Sequence, residues 1–484
     1  MCGVIGVYGL DDVAPEIYKS LKLLVHRGRS GSGMITYDDF NIHPRKSGST
    51  PDTLDWRGCE GSIGIGHTRY STSGGDSLEE LKRNAQPEYV INPFVAVAHN
   101  GNIYNYKSVI RRILGDKKPR TDCDVQALLL SLHKELKQFP KINEDSIFES
   151  LRNVTNDLNG SWSSALLITD KESKYLVGFT DPHKVRPLVV GKKEKNDERV
   201  WYITSENSVL KGLGVEYVMD VPPGSAVFVN PEWDKPKVRT IKKDKAYHCM
   251  FEWIYFANRN SEIEGVSVHD VRCCLGKELA RKYPVRADGV VPVPESGRAY
   301  ATGYARESKL PIIEGLQKRE KTRTFMLQTQ EERDKEALEN IMVIEEAVKG
   351  KKIVLVDDSL IRGTNMKNYN KKLRRAGAKE VHVRIGCPPL VNPCYFGIDM
   401  RTKKEFIARR DDEIKGWDEI AKEIGVDSLA YTDMDTLRKC IIGDKNFDIC
   451  TGCLHLGSNG YPPDMGKDIG KLLLNDKESR RAYE

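Results

Sequence analysis

The sequence has no long apolar run, no excess of one charge and too few cysteines for a disulfide scaffold. No stretch of its 484 residues approaches the roughly 18 consecutive apolar residues of a membrane-spanning helix, and its amino terminus lacks the basic start of a signal peptide. Its 76 Lys and Arg nearly balance 70 Asp and Glu, so the net charge of +6 does not predict nucleic-acid binding. With 11 cysteines, the sequence predicts a cytoplasmic protein whose thiols are nucleophiles, metal ligands or buried groups.

The composition is that of a globular protein with more than one domain. Hydrophobic residues make up 39% of the chain and charged residues 30%, which is enough to build sizeable cores. At roughly 150 residues per domain, the length predicts about three domains or two large ones.

The first half of the chain is rich in predicted strands. Short apolar runs separated by Gly, Pro, Asn and Asp continue to about residue 232, and helical patterns at 14–28 and 124–137 interrupt them. Layered sheets flanked by helices would accommodate both patterns. A segment rich in Pro and Lys follows, so we predict a first domain over residues 2–235.

In the second half of the chain, predicted apolar strands alternate with predicted helices. This alternation predicts βαβ units and a parallel sheet, whose ligands bind at the carboxyl ends of the strands. We therefore predict a second domain over residues 249–448 and a tail over 449–484, and the overall fold class is α/β and α+β. Residues 316–340 carry many charges and few apolar side chains, which is typical of an exposed excursion or a solvated helix.

Cys2 directly follows the initiator Met and is a candidate nucleophile. Removal of Met1 would leave a cysteine with a free α-amine, and an amine of pKa near 8 can accept the thiol proton. The alternative is a small hydrophobic residue in an edge strand, and Cys2 alone favours that alternative. Polar motifs further along the chain change the balance: HRGRSGSGM at 26–34, GHTRYSTSGG at 66–75, NAQP at 84–87, AHNGNIYN at 98–105 and TDCDVQALL at 121–129.

With these motifs in this order, the first domain resembles the class II, or N-terminal-nucleophile, glutamine amidotransferases. The resemblance implies a four-layer αββα fold in which Cys2 attacks the side-chain amide of glutamine. It further implies that Asn100 and Gly101 hold the oxyanion, that Arg69 binds the α-carboxylate and that Asp122 binds the α-ammonium group. His26 and His67 are interpreted as structural, as are segments 181–191 and 204–210, and Arg29 stands where the family commonly has Gln.

In the second domain, residues 351–368 read KKIVLVDDSLIRGTNMKN. An apolar strand is followed by two carboxylates and then by Ser359, Gly363 and Thr364 at the start of a predicted helix. Backbone N–H groups at a helix N-terminus bind phosphate, and glycine permits close approach. Asp357 and Asp358 would instead hold ribose hydroxyls or a divalent cation.

This loop resembles the signature of the type I phosphoribosyltransferases, and residues 291–305 resemble their companion loop. The resemblance implies that residues 357–365, Arg362 among them, hold the ribose and 5-phosphate of phosphoribosyl pyrophosphate. It also implies Mg2+ near Ser296, Asp357 and Asp358. Asn365 stands where Thr is common.

The fusion of the two domains resembles the amidophosphoribosyltransferase family. The resemblance implies transfer of ammonia from glutamine to phosphoribosyl pyrophosphate to give 5-phosphoribosylamine, the first step of de novo purine biosynthesis. It also implies feedback by purine nucleotides and a homo-oligomer that binds neither nucleic acid nor membrane. A paralogue that aminates another phosphorylated sugar and a non-catalytic nucleotide-sensing relative remain alternatives.

In this family residues 316–340 would form a lid over the second site. Arg319, Arg323, Thr324 and Phe325 fit the family pattern, whereas Thr322, Gln328, Glu339 and Asn340 depart from it. Since these departures leave less positive charge on the lid, we expect weaker pyrophosphate binding.

Cys450 and Cys453 form a C-x2-C pair, which is a metal-binding signal. Cys249 and Cys394 match cluster-ligand positions in the iron–sulfur branch of the family, so the resemblance implies a 4Fe-4S cluster on these four cysteines, with structural zinc as the alternative. The others are interpreted as packing or incidental thiols: Cys59, Cys123, Cys273, Cys274, Cys387 and Cys440.

Overall fold

The computed structural model describes residues 1–9, 12–70, 77–170, 173–195, 198–319 and 340–475. The first unit contains the strands β1 Gly3–Tyr8, β2 Ser32–Tyr37, β3 Ile42–Ser47, β4 Ile63–Thr68, β5 Glu88–Val90, β6 Phe94–Ile103, β7 Gly160–Thr169, β8 Lys174–Thr180, β9 Val189–Lys195, β10 Glu198–Thr204, β11 Glu216–Asp220, β12 Ser225–Val229 and β13 Lys237–Thr240. Its helices are α1 Ala14–Leu23, α2 Leu78–Arg83, α3 Tyr106–Leu114, α4 Val125–Leu136, α5 Glu144–Asp157 and α6 Asn207–Leu213.

These strands form two antiparallel sheets that pack face to face. The first has the order β11-β9-β10-β1-β4-β2-β3 and the second β13-β12-β8-β7-β6-β5. Side chains alternate along each strand, so Val4 of β1 enters the core between the sheets and Ile5 enters the core under α1 and α6. Helices α3, α4 and α5 cover the outer face of the second sheet. The predicted four-layer αββα fold is confirmed.

The second unit is built on a parallel sheet. Its strands are β14 Tyr247–Cys249, β15 Glu262–Ile263, β16 Val266–Ser267, β17 Gly289–Pro292, β18 Leu316–Lys318, β19 Ile341–Val343, β20 Lys352–Asp357, β21 Glu380–Ile385, β22 Arg409–Arg410, β23 Glu413–Ile414, β24 Ser428–Tyr431 and β25 Asp448–Cys450. Its helices are α7 Val268–Lys282, α8 Arg298–Ser308, α9 Glu345–Val348, α10 Thr364–Arg375, α11 Trp417–Ile424, α12 Met434–Ile441 and α13 Gly466–Asn475.

Strands β17, β20, β21 and β24 lie side by side in that order, and every pair of neighbours is parallel. The predicted parallel sheet is therefore confirmed, and the carboxyl ends of β17 and β20 meet at one edge. Among the described residues, no helix combines the length and the apolar character needed to cross a membrane.

The two units are joined through backbone pairing. The Tyr247 amide donates to the His183 carbonyl at 2.8 Å, and the Cys249 amide donates to the Val185 carbonyl at 2.9 Å. Strand β14 in turn pairs in parallel with β25, which places Cys249 opposite Cys450. The carboxyl-terminal tail is thus connected to the first unit through β14.

Cys274 and Cys440 form a disulfide between α7 and α12, with Cα atoms 5.9 Å apart and a sequence separation of 166 residues. The interpretation of these two residues as incidental thiols is wrong. Sequence spacing could not reveal the pair, because only the packing of α7 against α12 brings the two cysteines together.

Replacing Cys440 with Ser should lower the free energy of unfolding by about 2–4 kcal/mol, because the cross-link restricts a very long loop of the unfolded chain. The measurement is urea unfolding of the full chain without reductant. Cys273→Ser removes the neighbouring free thiol and is the control, for which no change is expected. Dithiothreitol should lower the free energy of unfolding of the parent protein and leave that of Cys440→Ser unchanged. An equal decrease in both proteins would refute the cross-link.

Candidate active sites

Cys2 lies just before β1, next to the interface between the two large sheets. The Val4 amide donates to Ser205 Oγ at 3.0 Å, and Arg27 Nε donates to the Cys2 carbonyl at 2.9 Å. These bonds hold the backbone on both sides of the sulfur-bearing residue. Cys2 is a half-buried free thiol.

Asn100 and Gly101 are adjacent to Cys2 on β6. The Cys2 amide donates to Asn100 Oδ1 at 3.2 Å, while the buried Asn100 Nδ2 has no hydrogen-bond partner among the described residues. Gly101 has φ +154°, and a Cβ there would lie 2.1 Å from the Ser161 carbonyl oxygen. The structure therefore brings the predicted nucleophile and oxyanion-binding residues together and leaves one amide donor available.

The surroundings of the N-terminus favour an uncharged amine. Burial lowers the pKa of the Met1 amine to about 5, and the positive charges of Arg186 and Arg27 act in the same direction. An amine generated at Cys2 by removal of Met1 would lie next to the same guanidinium groups. Their positive charges would disfavour protonation of that amine as well.

A buried ionic network supports this end of β1, and sequence analysis missed it. Arg27 is 2.5 Å from Glu206 Oε1 and makes two bonds to the Glu252 carboxylate, at 2.8 and 3.0 Å. Although burial disfavours the Glu206 carboxylate, the charges of His26 and Arg27 hold its pKa well below the usual range. Arg27 lies in the first of the polar motifs, but its acidic partners lie some 180 and 225 residues away, where no local pattern identifies them.

The two histidines interpreted as structural have fixed partners. His26 Nε2 is 2.9 Å from Glu206 Oε1 and its Nδ1 is 3.1 Å from the Leu23 carbonyl. His67 Nε2 is 3.0 Å from the His99 carbonyl, and burial lowers its pKa to about 3. His67 is therefore neutral, which suits a structural role.

Arg69 is buried, whereas Asp122 is exposed. The NAQP motif holds the loop that carries Asp122, because Asn84 Oδ1 accepts from the Asp122 amide at 3.2 Å. Burial raises the pKa of the neighbouring Cys123 thiol to about 12, while the nearby charge of Arg69 opposes the rise. Asp122 itself pairs with Arg83 at 2.6 Å, and a bound ammonium group would have to displace that partner. Residues 71–76 of the same loop region lie outside the described residues.

The predicted phosphate-binding loop follows β20 at the carboxyl edge of the parallel sheet. Gly363 adopts a left-handed conformation with φ +76° and immediately precedes α10, whose first residue is Thr364. A Cβ at Gly363 would lie 2.3 Å from Ile407 Cδ1, so glycine is required there for packing as well. The loop leaves the first backbone N–H groups of α10 available to an anion.

Asp357, Asp358 and Ser296 meet at the same edge. Ser296 donates to the Asp357 carboxylate, and Ser359 Oγ donates to Asp358. Burial and the charge of Asp358 raise the pKa of Asp357 well above its usual range. Two carboxylates so close together are stabilised by a cation, and oxygen ligands of this kind suit Mg2+.

Arg362 of the same loop forms an ion pair with Glu405 at 2.5 Å. Arg319 is exposed and its amide donates to the Asn340 carbonyl at 2.7 Å, which closes the base of the predicted lid. The remaining lid residues lie outside the described residues: Thr322, Arg323, Thr324, Phe325, Gln328 and Glu339.

Two tyrosines, Tyr70 and Tyr255, lie near one another and near acidic groups of the second unit. Burial and the charges of Asp358 and Asp357 raise the pKa of Tyr255 to about 12, while Arg29 opposes the rise. Burial also raises the pKa of Tyr70, and Tyr255 is among the groups that act on it. Tyr70 directly follows Arg69, the residue predicted to bind the α-carboxylate of glutamine.

The four predicted cluster cysteines lie together although they come from three segments of the chain. Cys249 and Cys450 face each other across β14 and β25, and the Cys453 carbonyl accepts from the Val391 amide at 2.9 Å, near Cys394. Burial raises the thiol pKa values of Cys249, Cys450 and Cys453, and the neighbouring thiols add to each rise. Thiolates at these positions would need a metal to stabilise them.

His183, Asp244 and Asp464 form a further group with metal-ligand chemistry, but its charges are already balanced. His183 Nε2 is 2.6 Å from Asp464 Oδ1, and Lys242 Nζ is 3.8 Å from Asp464 Oδ2. Burial alone would lower the pKa of His183, but the hydrogen bond to Asp464 raises it above the usual value. The group therefore acts as an ion pair that attaches the tail to the first unit.

Comparison with known proteins gives consistent results over nearly the whole chain. A model of the glutamine amidotransferase domain matches residues 69–212. The amidophosphoribosyltransferase of Methanocaldococcus jannaschii is 39% identical over 492 aligned positions, covering 96% of this chain and 98% of the relative. That of Staphylococcus aureus is 34% identical, covering 96% and 91%.

A solved structure agrees over the same extent. The glutamine phosphoribosylpyrophosphate amidotransferase of B. subtilis, in complex with ADP and GMP, superposes with a TM-score of 0.80 at 31% identity, covering 96% of this chain and 97% of the other.

Proposed function

The chain belongs to the amidophosphoribosyltransferase family, and we propose that Cys2 releases ammonia from glutamine for attack on phosphoribosyl pyrophosphate at the Asp357–Thr364 loop. It is an enzyme of purine biosynthesis, a glutamine phosphoribosylpyrophosphate amidotransferase. The observation that carries the assignment of residues is the contact between Cys2 and Asn100, with Asn100 Nδ2 left without a partner among the described residues.

In the first half-reaction, the free α-amine of Cys2 takes the thiol proton and the sulfur attacks the side-chain carbonyl of glutamine. The developing oxyanion accepts hydrogen bonds from Asn100 Nδ2 and the Gly101 amide, each worth about 2.7–4 kcal/mol in comparable sites. Arg69 binds the α-carboxylate of glutamine and Asp122 the α-ammonium group, after Asp122 exchanges Arg83 for the substrate. The protonated α-amine returns its proton to the departing nitrogen, ammonia leaves, and water then hydrolyses the thioester to glutamate and the free thiol.

In the second half-reaction, Ser359, Arg362, Gly363 and Thr364 hold the 5-phosphate at the start of α10. Asp357, Asp358 and Ser296 are the residues that would hold Mg2+, which supplies positive charge to the departing pyrophosphate. Neutral ammonia attacks C1 of the ribose as pyrophosphate leaves. Arg319 and Arg323 would contribute to a lid that excludes water.

We further propose that Cys249, Cys394, Cys450 and Cys453 hold a 4Fe-4S cluster. Their grouping and their burial support a bound metal centre, and structural zinc remains the alternative. A cluster bound there would tie β14, the Cys394 loop and the tail together, and thiolate ligation would make the site sensitive to oxygen.

The proposal includes the domain division 2–235, 249–448 and 449–484. It also includes a cytoplasmic homo-oligomer regulated by purine nucleotides. The complex of the B. subtilis enzyme with ADP and GMP supports nucleotides as ligands.

The test of function follows both half-reactions at once. Anaerobically purified protein, with N-terminal processing checked by mass spectrometry, is given glutamine, phosphoribosyl pyrophosphate and Mg2+, and glutamate and pyrophosphate are quantified. We expect equal amounts of the two products. Glutamate without pyrophosphate would indicate a different acceptor, and absence of both from correctly processed protein would indicate a nucleotide sensor.

A further inference from the structure

Arg186 lies between the proposed cluster and the glutaminase site. Its side chain is completely buried, in the segment that follows β8. The carbonyl of its neighbour Val185 accepts a hydrogen bond from the Cys249 amide at 2.9 Å. The backbone next to Arg186 is therefore held against the first of the four cysteines.

Two nitrogens of Arg186 hold the loop that carries the second cysteine. Arg186 Nε donates to the Phe396 carbonyl at 3.1 Å, and Nη2 donates to the same oxygen. The Phe396 amide in turn donates to Cys394 Sγ at 3.4 Å. The third nitrogen, Nη1, has no hydrogen-bond partner in the part of the chain that the structure describes. A buried donor without an acceptor costs about 1–3 kcal/mol, so Nη1 is suited to a group bound among these cysteines.

The loop held by Arg186 rests directly on the oxyanion strand β6. Asn102 Nδ2 donates to the Tyr395 carbonyl at 2.7 Å, one residue beyond Gly101. A Cβ added at Gly397 would lie 2.6 Å from the Gly101 carbonyl oxygen, so the two backbones are in close contact. A movement of this loop would therefore be transmitted to Gly101.

A second connection leads from Arg186 to the nucleophile. Arg186 Nη1 is 3.7 Å from Glu252 Oε1, and the same carboxylate forms the two bonds to Arg27. Arg27 Nε then holds the Cys2 carbonyl. Both the nucleophile and the oxyanion strand are thus in contact with groups that Arg186 positions.

We propose that Arg186 is a positioning residue that donates a hydrogen bond from Nη1 to a cluster sulfur and so couples the cluster to the glutaminase site. This inference rests on the proposed 4Fe-4S cluster. Hydrogen bonds to cluster sulfurs tune the properties of such centres, and loss of an outer-shell partner typically costs 10- to 100-fold in metal affinity or activity. Loss of the cluster would release the Cys394 loop and with it the support of Gly101.

The test compares Arg186→Met and Arg186→Lys with the parent protein, all as full chains purified anaerobically. Iron per chain, the rate of iron loss to a chelator, the Fe–S stretching bands in resonance Raman spectra and glutaminase kcat are measured. We expect Arg186→Met to lose iron about 10- to 100-fold faster, with shifted Fe–S bands and a lower kcat. Arg186→Lys keeps the positive charge, so its rate of iron loss, Fe–S bands and kcat should lie between those of the parent protein and those of Arg186→Met.

Lys184→Met is the matched control. Lys184 is equally buried two residues earlier, but it pairs with Asp220 at 3.2 Å and Glu264 at 2.6 Å. Lys184→Met removes a buried cation from the same segment without removing a donor to the cluster. The Fe–S bands of this variant should therefore match those of the parent protein.

The outcomes separate this inference from the proposed cluster. A parent protein without iron would overturn the cluster and the coupling together. A parent protein with the cluster, and an Arg186→Met variant with unchanged Fe–S bands and iron loss, would overturn the coupling alone. If Arg186→Met fails to fold, the Fe–S bands of Arg186→Lys decide, with a shift supporting the coupling and unchanged bands overturning it.

Discussion

Glutamine-dependent formation of 5-phosphoribosylamine should fall by a factor on the order of 10^4 or more when Cys2 is replaced with Ala. The reason is that the whole glutaminase step passes through one sulfur atom, and removal of a nucleophile costs factors of this size in other enzymes. The contacts that position Cys2 use its backbone, namely the bonds to Asn100 and Arg27, so the variant should fold normally. The measurement is pyrophosphate release with glutamine as the nitrogen donor.

The same variant should retain synthesis from an ammonium salt at alkaline pH, because the second site requires only neutral ammonia. Cys59→Ala provides the control, since Cys59 is a buried free thiol in the helix layer outside the first sheet. Loss of ammonia-dependent synthesis along with glutamine-dependent synthesis would mean that Cys2 supports the fold rather than the chemistry. Fully active protein that still carries Met1 would contradict the role of the α-amine.

Much of the fold could be predicted because periodicity is local. The apolar run before Asp357 and the helical pattern after it gave β20 and α10, and the same reasoning predicted the parallel sheet. The connection between the two units could not be predicted in this way. The pairing of β14 with β25 joins segments some 200 residues apart, and β14 has only three residues, too few for a periodic signal.

The residues of the candidate sites also differ in whether a local sequence pattern could identify them. Cys2, Asn100 and Gly101 could be identified because each belongs to a short motif with a specific chemical task. Glu252 and Arg186 could not, since each is a single charged residue whose function depends on partners from other parts of the fold. The structure supplies the missing information as distances between buried charges.

The second large effect concerns the acidic pair at the end of β20. The Asp357 carboxylate accepts from the Asp358 amide at 2.9 Å, a bond that an asparagine oxygen can also accept. Asp357→Asn therefore keeps this hydrogen bond and removes one acidic group. In the substrate-free protein, that change relieves the repulsion between two adjacent carboxylates, so the midpoint of urea unfolding should stay the same or rise.

Pyrophosphate release should instead fall by about 10^3-fold in Asp357→Asn, because the site loses a charged ligand for Mg2+, whose electrostatic contribution is several kcal/mol. Hydrolysis of glutamine measured without phosphoribosyl pyrophosphate should remain within about twofold of the parent rate, since Cys2 and Asn100 are untouched.

Asp288→Asn is the matched control: Asp288 accepts from the Lys352 amide at 2.7 Å, at the opposite end of β20. If Asp357→Asn lowered stability and both activities in parallel, Asp357 would support the fold rather than bind magnesium. If Asp357→Asn instead raised the urea-unfolding midpoint and lowered pyrophosphate release, the two carboxylates would be shown to destabilise the substrate-free enzyme and to bind the cation that accompanies the substrate.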